Sequence, residues 1–285
     1  MSTAGHPGDP LETDPFAVPD RAFNTLEGWT WIGCYGGYYL SCDLLETHGF
    51  EHGFFPRRWQ GREPDELATY LSAGITVHRP KQVHGALVLE ASVADRAPWP
   101  DADGLVSDRG SQSLWVCGAD CTPVLLADPH SGHVAACHAG WRGVASGILR
   151  EAVERLVQRG GGRDQLLVAL GPAVSGASYQ VEETVAEQVL ASVTSESVAS
   201  EEDQSALPVD LETRARIVLQ DPEEGRCRLD IRAAATAQLQ AAGVDVGRIS
   251  QCPLCTMAEP ALFHSWRRDQ VKAVQWSGIV SQAAL

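Results

Sequence analysis

The chain has 285 residues, 44% apolar and 21% charged, an ordinary globular composition that excludes collagen-like, coiled-coil and wholly disordered classes. A formal charge of −15, from 37 acidic against 22 basic residues, excludes a broad nucleic-acid surface, since binding phosphate backbones requires a basic face. Any anion site must be local.

Pro7, Pro10, Pro15 and Pro19 with scattered acids mark residues 1–22 as a flexible lead-in, leaving residues 23–285 as a single expected domain. No apolar run reaches the roughly 18–20 residues of a membrane helix. The first residues show no basic segment leading into an apolar one, so no secretory signal is expected. Eight cysteines then read as reduced thiols or ligands rather than a disulfide framework. The expectation is a cytoplasmic protein with no membrane or nucleic-acid partner, a monomer or homodimer.

Leu114-Trp115-Val116, Thr122–Ala127 and His133–Cys137 read as strands. Val144, Ile148, Leu149, Ala152, Val153, Leu156 and Val157 form one apolar stripe of a helix that Gly160-Gly161-Gly162 ends. A strand over 166–170 and a helix near 183–193 follow. The polar run from Ser195 to Ser205 reads as an exposed loop, and a helix near 231–242 is capped by Gly243. The fold class expected is α/β, one compact domain with a mixed β-sheet flanked by helices.

Asp128-Pro129-His130-Ser131-Gly132 joins two of these strands and carries turn chemistry at three positions. If the loop is Pro129–Gly132, Asp128 faces His133 and His138 faces Pro123. Cys121 then lies one diagonal step from His138 on the same face, roughly 7–8 Å away at Cα. That spacing suits a thiolate and an imidazole converging on one metal. A loop of other parity would send one of them to the opposite face. His84, in Lys81-Gln82-Val83-His84-Gly85, is the best candidate for a third ligand. The plainer alternative is that Cys121 and Cys137 are small core residues and His138 a satisfied strand-end histidine.

Gly140-Trp141-Arg142-Gly143 enters the helix with unpaired N–H groups and a guanidinium, an anion site or merely a tight turn. Cys252-Pro253-Leu254-Cys255 lacks a second pair for a zinc finger. His48 and His52 are four apart but do not form H-E-x-x-H. Phe263-His264-Ser265-Trp266-Arg267-Arg268-Asp269 combines aromatic surface with two guanidinium groups, for a base or sugar phosphate or for plain Arg–Asp pairing. No histidine is followed by Glu two places on, which excludes the cytidine-deaminase signature. Two methionines and nine histidines are a poor supply for a multicopper oxidase.

Gln82-Val83-His84-Gly85, Asp101-Ala102-Asp103-Gly104, Ala119-Asp120-Cys121-Thr122-Pro123, His138-Ala139-Gly140-Trp141-Arg142-Gly143, Gly171-Pro172-Ala173 and the segment 263–269 stand in the order of the YfiH-like family. Its members carry the labels laccase-domain protein and polyphenol oxidase, and are also described as purine nucleoside phosphorylases with adenosine deaminase activity. The resemblance covers roughly residues 50–270. It implies a compact α/β fold shared with a cysteine-hydrolase-type (CNF/YfiH-like) toxin domain, and a zinc held by His84, Cys121 and His138. It also implies an active-site arginine at Arg57, where His52-Gly53-Phe54-Phe55-Pro56-Arg57 matches a segment usually reading H-G-F-S-T-R. Gln180 replaces the usual Glu, and the usual T-G-R is missing after Asp269.

The function this resemblance implies is zinc-dependent phosphorolysis of purine nucleosides (adenosine and inosine, with methylthioadenosine as a further substrate), with deamination of adenosine. Inorganic phosphate would be the co-substrate. Arg57 and Asp120 are the expected catalytic residues, and Gln82, Arg142 and Arg267 the expected contacts to substrate or phosphate. Asp103 and Asp120 are candidates for orienting ligands or handling protons, or are turn residues. The alternative enzyme is a cysteine hydrolase acting on an amide or a cell-wall precursor, with Cys121 as nucleophile and His138 or His84 as its base. A non-catalytic metal-stabilised module and a copper-dependent oxidase complete the readings.

Overall fold

The computed structural model describes residues 26–193 and 209–282; the lead-in over 1–22 and the loop expected over 195–205 lie outside them. The strands are β1 (Trp29–Cys34), β2 (Gly37–Cys42), β3 (His52–Phe54), β4 (Thr76–His78), β5 (Val88–Glu90), β6 (Gly104–Val106), β7 (Gln112–Gly118), β8 (Thr122–Ala127), β9 (Val134–Ala139), β10 (Leu167–Leu170), β11 (Gln180–Glu182), β12 (Val218–Gln220), β13 (Arg226–Leu229), β14 (Ile249–Gln251) and β15 (Gln275–Val280). The helices are α1 (Asp43–Glu46), α2 (Pro64–Leu67), α3 (Trp141–Ala145), α4 (Ile148–Val157), α5 (Glu183–Ala191), α6 (Leu211–Ile217), α7 (Ile231–Ala241) and α8 (Trp266–Asp269).

Two six-stranded sheets, ordered β1-β2-β3-β15-β7-β4 and β14-β10-β8-β9-β6-β5, carry the fold, with a three-stranded sheet β11-β13-β12 beside them. Both large sheets are mixed, because β4 runs parallel to β7, β10 to β14 and β5 to β6. The expected mixed sheet is thus two sheets packed on each other. Alternation along β8 and β9 shows how. Leu125, Ala127, Val134 and Ala136 join Trp29, Phe54, Leu114 and Ile279 in a core between the sheets. Val124, Leu126, Ala135 and Cys137 face the other way, onto α4, α5 and α7. A buried strand pair with apolar residues on both faces needs cover on both. The far side of the first sheet is closed by Phe55, Trp59, Leu67 and Trp115.

The hairpin falls as the turn chemistry requires. Ala127 pairs with Val134 and Pro123 with His138, and Asp128 accepts backbone N–H bonds from His130 and Ser131 at 3.2 and 3.0 Å. The helix expected over Val144–Val157 is corrected: it is two helices. Gly147 at φ +83 sits between α3 and α4, a left-handed conformation that glycine adopts without steric cost and that ends the first helix after little more than one turn.

Candidate metal centre

The end of the β8–β9 hairpin carries the site. His138 lies near the end of β9 on the parity that faces the first sheet, and Cys121 immediately precedes β8. The loop after β4 brings in His84. One ligand atom from each of His84, Cys121 and His138 lies within 4.8 Å of the others, and the two imidazoles meet edge to face at 4.8 Å between centroids. Among the described residues this is the one cluster of three or more His, Cys, Asp or Glu ligands that could grip an ion.

Asp103 holds two of the three donors. It is wholly buried, and its carboxylate accepts N–H bonds from Val83 at 3.1 Å, His84 at 2.9 Å and Gly85 at 2.6 Å. Its Oδ1 also takes His138 Nδ1 at 2.9 Å, and its carbonyl takes the His138 backbone N–H at 2.7 Å. Occupying Nδ1 in this way leaves Nε2 to face the cluster, the arrangement in which a carboxylate orients a metal-ligating imidazole. His84 has φ +61 and Asp120 φ +92, so residues beside the cluster stand in backbone regions that non-glycine residues rarely adopt.

Burial alone would push the Cys121 thiol up, but hydrogen bonds from His138 and His84 and their charge bring it down to about 6. Burial would lower the His138 imidazole, yet Asp103 and Cys121 raise it to about 9. A deprotonated sulfur is the form that binds a metal. Gly140 makes room for it: a Cβ there would lie 2.8 Å from Cys121 Sγ and 3.6 Å from His84.

The other expected site residues divide. Arg142 stacks on Trp141 at 4.4 Å and Arg267 on Tyr179 at 5.1 Å. Trp141, Tyr179, Asp120, Cys121 and Gly140 together line a cavity of about 30 Å³. Both guanidinium groups lie on exposed residues, and among the described residues neither forms an ion pair. Asp120 accepts from Thr256 Oγ1 at 2.6 Å and from the Arg267 backbone N–H at 2.7 Å. Gln82 spends both ends of its amide on the Cys117 backbone, at 2.7 and 2.8 Å, fixing the loop that carries His84. Arg57 lines another cleft, with His264 and Arg268, that does not include the three ligands. Nothing in the sequence marks Tyr179 except its place next to Gln180, which departs from the family pattern.

Other histidines and cysteines have local work. His52 is buried, accepts the Cys42 N–H and faces the Phe50 carbonyl, each at 2.7 Å, and burial pulls it down to about 4. Cys252 is buried, with its thiol pushed up to about 12 by burial. Cys255 Sγ accepts the Ser175 N–H at 3.2 Å. Gln180 donates to Asp221 at 2.9 Å and Glu223 at 3.1 Å; a glutamate there would face two carboxylates.

A family model described as "Multi-copper polyphenol oxidoreductase laccase" matches residues 64–281. The chain is 40% identical over 261 residues, 89% of its length and 97% of the relative's, to a purine nucleoside phosphorylase of Synechocystis sp.. A purine nucleoside phosphorylase of Deinococcus radiodurans is 32% identical, with 92% of this chain and 89% of the relative covered. The crystal structure of the hypothetical protein YfiH of Bacillus licheniformis superposes with TM-score 0.71 at 25% identity, covering 86% of this chain and 96% of that one. YlmD of Geobacillus stearothermophilus gives 0.70 at 25%, with the same coverage. The chain belongs to this YfiH-like, laccase-domain family.

Proposed function

We propose that the chain is a purine nucleoside phosphorylase whose reaction centre is the His84–Cys121–His138 cluster, with zinc as its metal and inorganic phosphate as co-substrate. One observation carries the reading. In a chain of net charge −15, a thiolate and two imidazoles converge beside Arg142 and Arg267, two guanidinium groups without acidic partners among the described residues. One sulfur and two imidazoles suit zinc, which supplies Lewis acidity and lowers the pKa of water when three protein ligands leave a position open. The names of the relatives support the same activity.

In phosphorolysis a phosphate oxygen bonds to ribose C1′ while the C1′–N9 bond breaks. The electron pair leaves with the purine, which is released after taking up a proton. The chain's part is binding and orientation. Arg142 and Arg267 neutralise and steer the phosphate, which would otherwise be repelled by the acidic surface. Trp141 and Tyr179, beside Cys121, offer aromatic faces to the base. Asp103 and Gln82 hold the ligand-bearing loop. Asp120 acts as a positioning residue through Arg267 and the turn before Cys121. Deamination of adenosine, with water adding at purine C6 and ammonia leaving, is the second chemistry we assign to the same centre. The copper-oxidase label finds little support in one three-ligand cluster, since a multicopper site draws on many histidines.

The second reading is a cysteine hydrolase. It is favoured by the line Cys121–His138–Asp103, in which a lowered thiol meets an imidazole oriented by a buried carboxylate, the arrangement of an activated nucleophile. Metal analysis with a nucleoside assay separates the two. Stoichiometric zinc and release of adenine or hypoxanthine only in the presence of phosphate, both lost in His138→Ala, is the expected result. Activity on amides that survives chelation and ends when Cys121 is alkylated would transfer the assignment to the hydrolase.

A further inference from the structure

Gln238, on α7, is wholly buried, and its side chain bonds to three other helices or their ends. Its Nε2 donates to the Val144 carbonyl at 2.8 Å, to Ser192 Oγ at 3.0 Å and to the Ser192 carbonyl at 3.3 Å. Its Oε1 accepts the Leu149 backbone N–H at 3.3 Å. A buried amide costs free energy unless its polar atoms are paired, so these partners fix where it stands. Val144 and Leu149 lie on either side of the break at Gly147. In one continuous helix their carbonyl and N–H would be paired internally; the break leaves them as helix-end groups. A single amide from a third helix takes up both.

What that amide holds in place is α3. The helix is five residues long, too short to keep its shape without tertiary support, and it is pressed against the backbone or side chain of all three ligand-bearing segments. A Cβ at Gly140, its N-cap, would lie 2.8 Å from Cys121 Sγ. One at Gly143 would lie 2.9 Å from the carbonyl of Gly85, which follows His84, and 3.4 Å from the carbonyl of His138. Through these two glycines α3 forms one wall of the cluster. Its first end is fixed by β9, which stops at Ala139. Its other end runs into the left-handed Gly147, and the bond from Gln238 to Val144 is what ties it to α7.

We propose that Gln238 is a positioning residue for the metal centre, which it sets through α3 without touching a ligand. The inference rests on the reading of His84, Cys121 and His138 as metal ligands, not on the reaction assigned to them. Zinc titration against a competing chelator and the absorption spectrum of the Co²⁺-loaded protein test it in Gln238→Leu and Gln238→Asn. The asparagine keeps an amide that is one methylene too short to span the break, and it carries the test by itself if the leucine variant does not fold. Zinc affinity of the folded variants should fall about 3–30-fold, the size of effects carried through a chain of packed contacts. The thiolate-to-cobalt and d–d bands, which report how the ligands surround the ion, should shift. Ser192→Ala is the control: it removes one bond to the same amide and leaves the Val144 bond in place, so the unfolding midpoint should fall while both metal readouts stay unchanged. Gln238 variants that lose stability yet bind zinc with unaltered affinity and give an unaltered cobalt spectrum would show that the amide serves folding alone and overturn the proposal. Equal changes in Ser192→Ala would overturn it too, as a general loosening. Unaltered protein that takes up neither ion would sink the metal reading and this inference with it.

Discussion

Replacing Asp103 with Asn exchanges one carboxylate oxygen for an NH₂ group and should disable the metal centre. The carboxylate accepts four hydrogen bonds, His84 N and His138 Nδ1 on Oδ1, and Val83 N and Gly85 N on Oδ2. An amide keeps one oxygen, so in either orientation two of the four are lost. At about 1.5–3 kcal/mol per bond to a charged acceptor, the cost is roughly 3–6 kcal/mol, large against a usual total of about 5–15 kcal/mol. With oxygen in the Oδ2 place, the amide N–H₂ meets His138 Nδ1 and drives the ring proton to Nε2, the nitrogen a metal needs. With oxygen in the Oδ1 place, the bonds from Val83 N and Gly85 N on either side of His84 are lost, which loosens the loop that carries it. Zinc affinity should fall about 10–100-fold, as for lost partners of metal ligands elsewhere. Denaturant unfolding of metal-free protein and zinc titration against a competing chelator measure the two effects. The carboxyl is held below its ordinary range: burial opposes this, but the bonds from His138, Gly85 and Val83 prevail. Its stabilisation is therefore complete above the unfolded value near ~4 and is lost as pH falls through the folded one. Wild type and variant should converge in acid. Unaltered zinc affinity in a folded Asp103→Asn protein would refute this account of the site.

Three further outcomes follow from the same geometry. Gly140→Ala places a methyl 2.8 Å from Cys121 Sγ at an ordinary backbone φ of −74; zinc affinity should drop clearly while the unfolding midpoint of the metal-free protein moves little, and a variant that binds zinc normally would show that the sulfur has room to move. In metal-free protein, alkylation of Cys121 by iodoacetamide should run at its full rate from neutral pH upward and fall as pH drops through about 6, because only the thiolate attacks; a rate that climbs through pH 8–9 instead would mean an ordinary thiol, with Cys121→Ser as the control for other cysteines. Gln180→Glu sets a third carboxylate against Asp221 and Glu223, and should lower the melting temperature at low salt with partial recovery as salt screens the repulsion; an unchanged melting temperature would show that the amide bonds are incidental.

What the sequence reveals about this site follows from how local each signal is. The β8–β9 hairpin is legible because Asp128 and the turn fix its register, and register alone puts Cys121 and His138 on one face. His84 is different: it arrives through a loop after β4, a strand of the other sheet. Turn chemistry has nothing to say about it; its polar surroundings and the glycine after it make it a candidate, and the order of family motifs makes it the expected ligand. The same limit explains the sheets. β15, near the end of the described chain, pairs with β3 on one side and β7 on the other, contacts that no local period encodes. The single helix read across 144–157 failed for the opposite reason, since the apolar stripe continues through Gly147 while the backbone does not. Arg57 shows what a motif withholds. His52-Gly53-Phe54 forms β3, whose histidine is consumed by Cys42 and Phe50, and the arginine that follows leaves the strand for the cleft beside His264. At Arg57 the neighbours are His264 and the paired Arg268 and Asp269; at Arg142 and Arg267 they are the rings of Trp141 and Tyr179, which line the cavity beside Cys121.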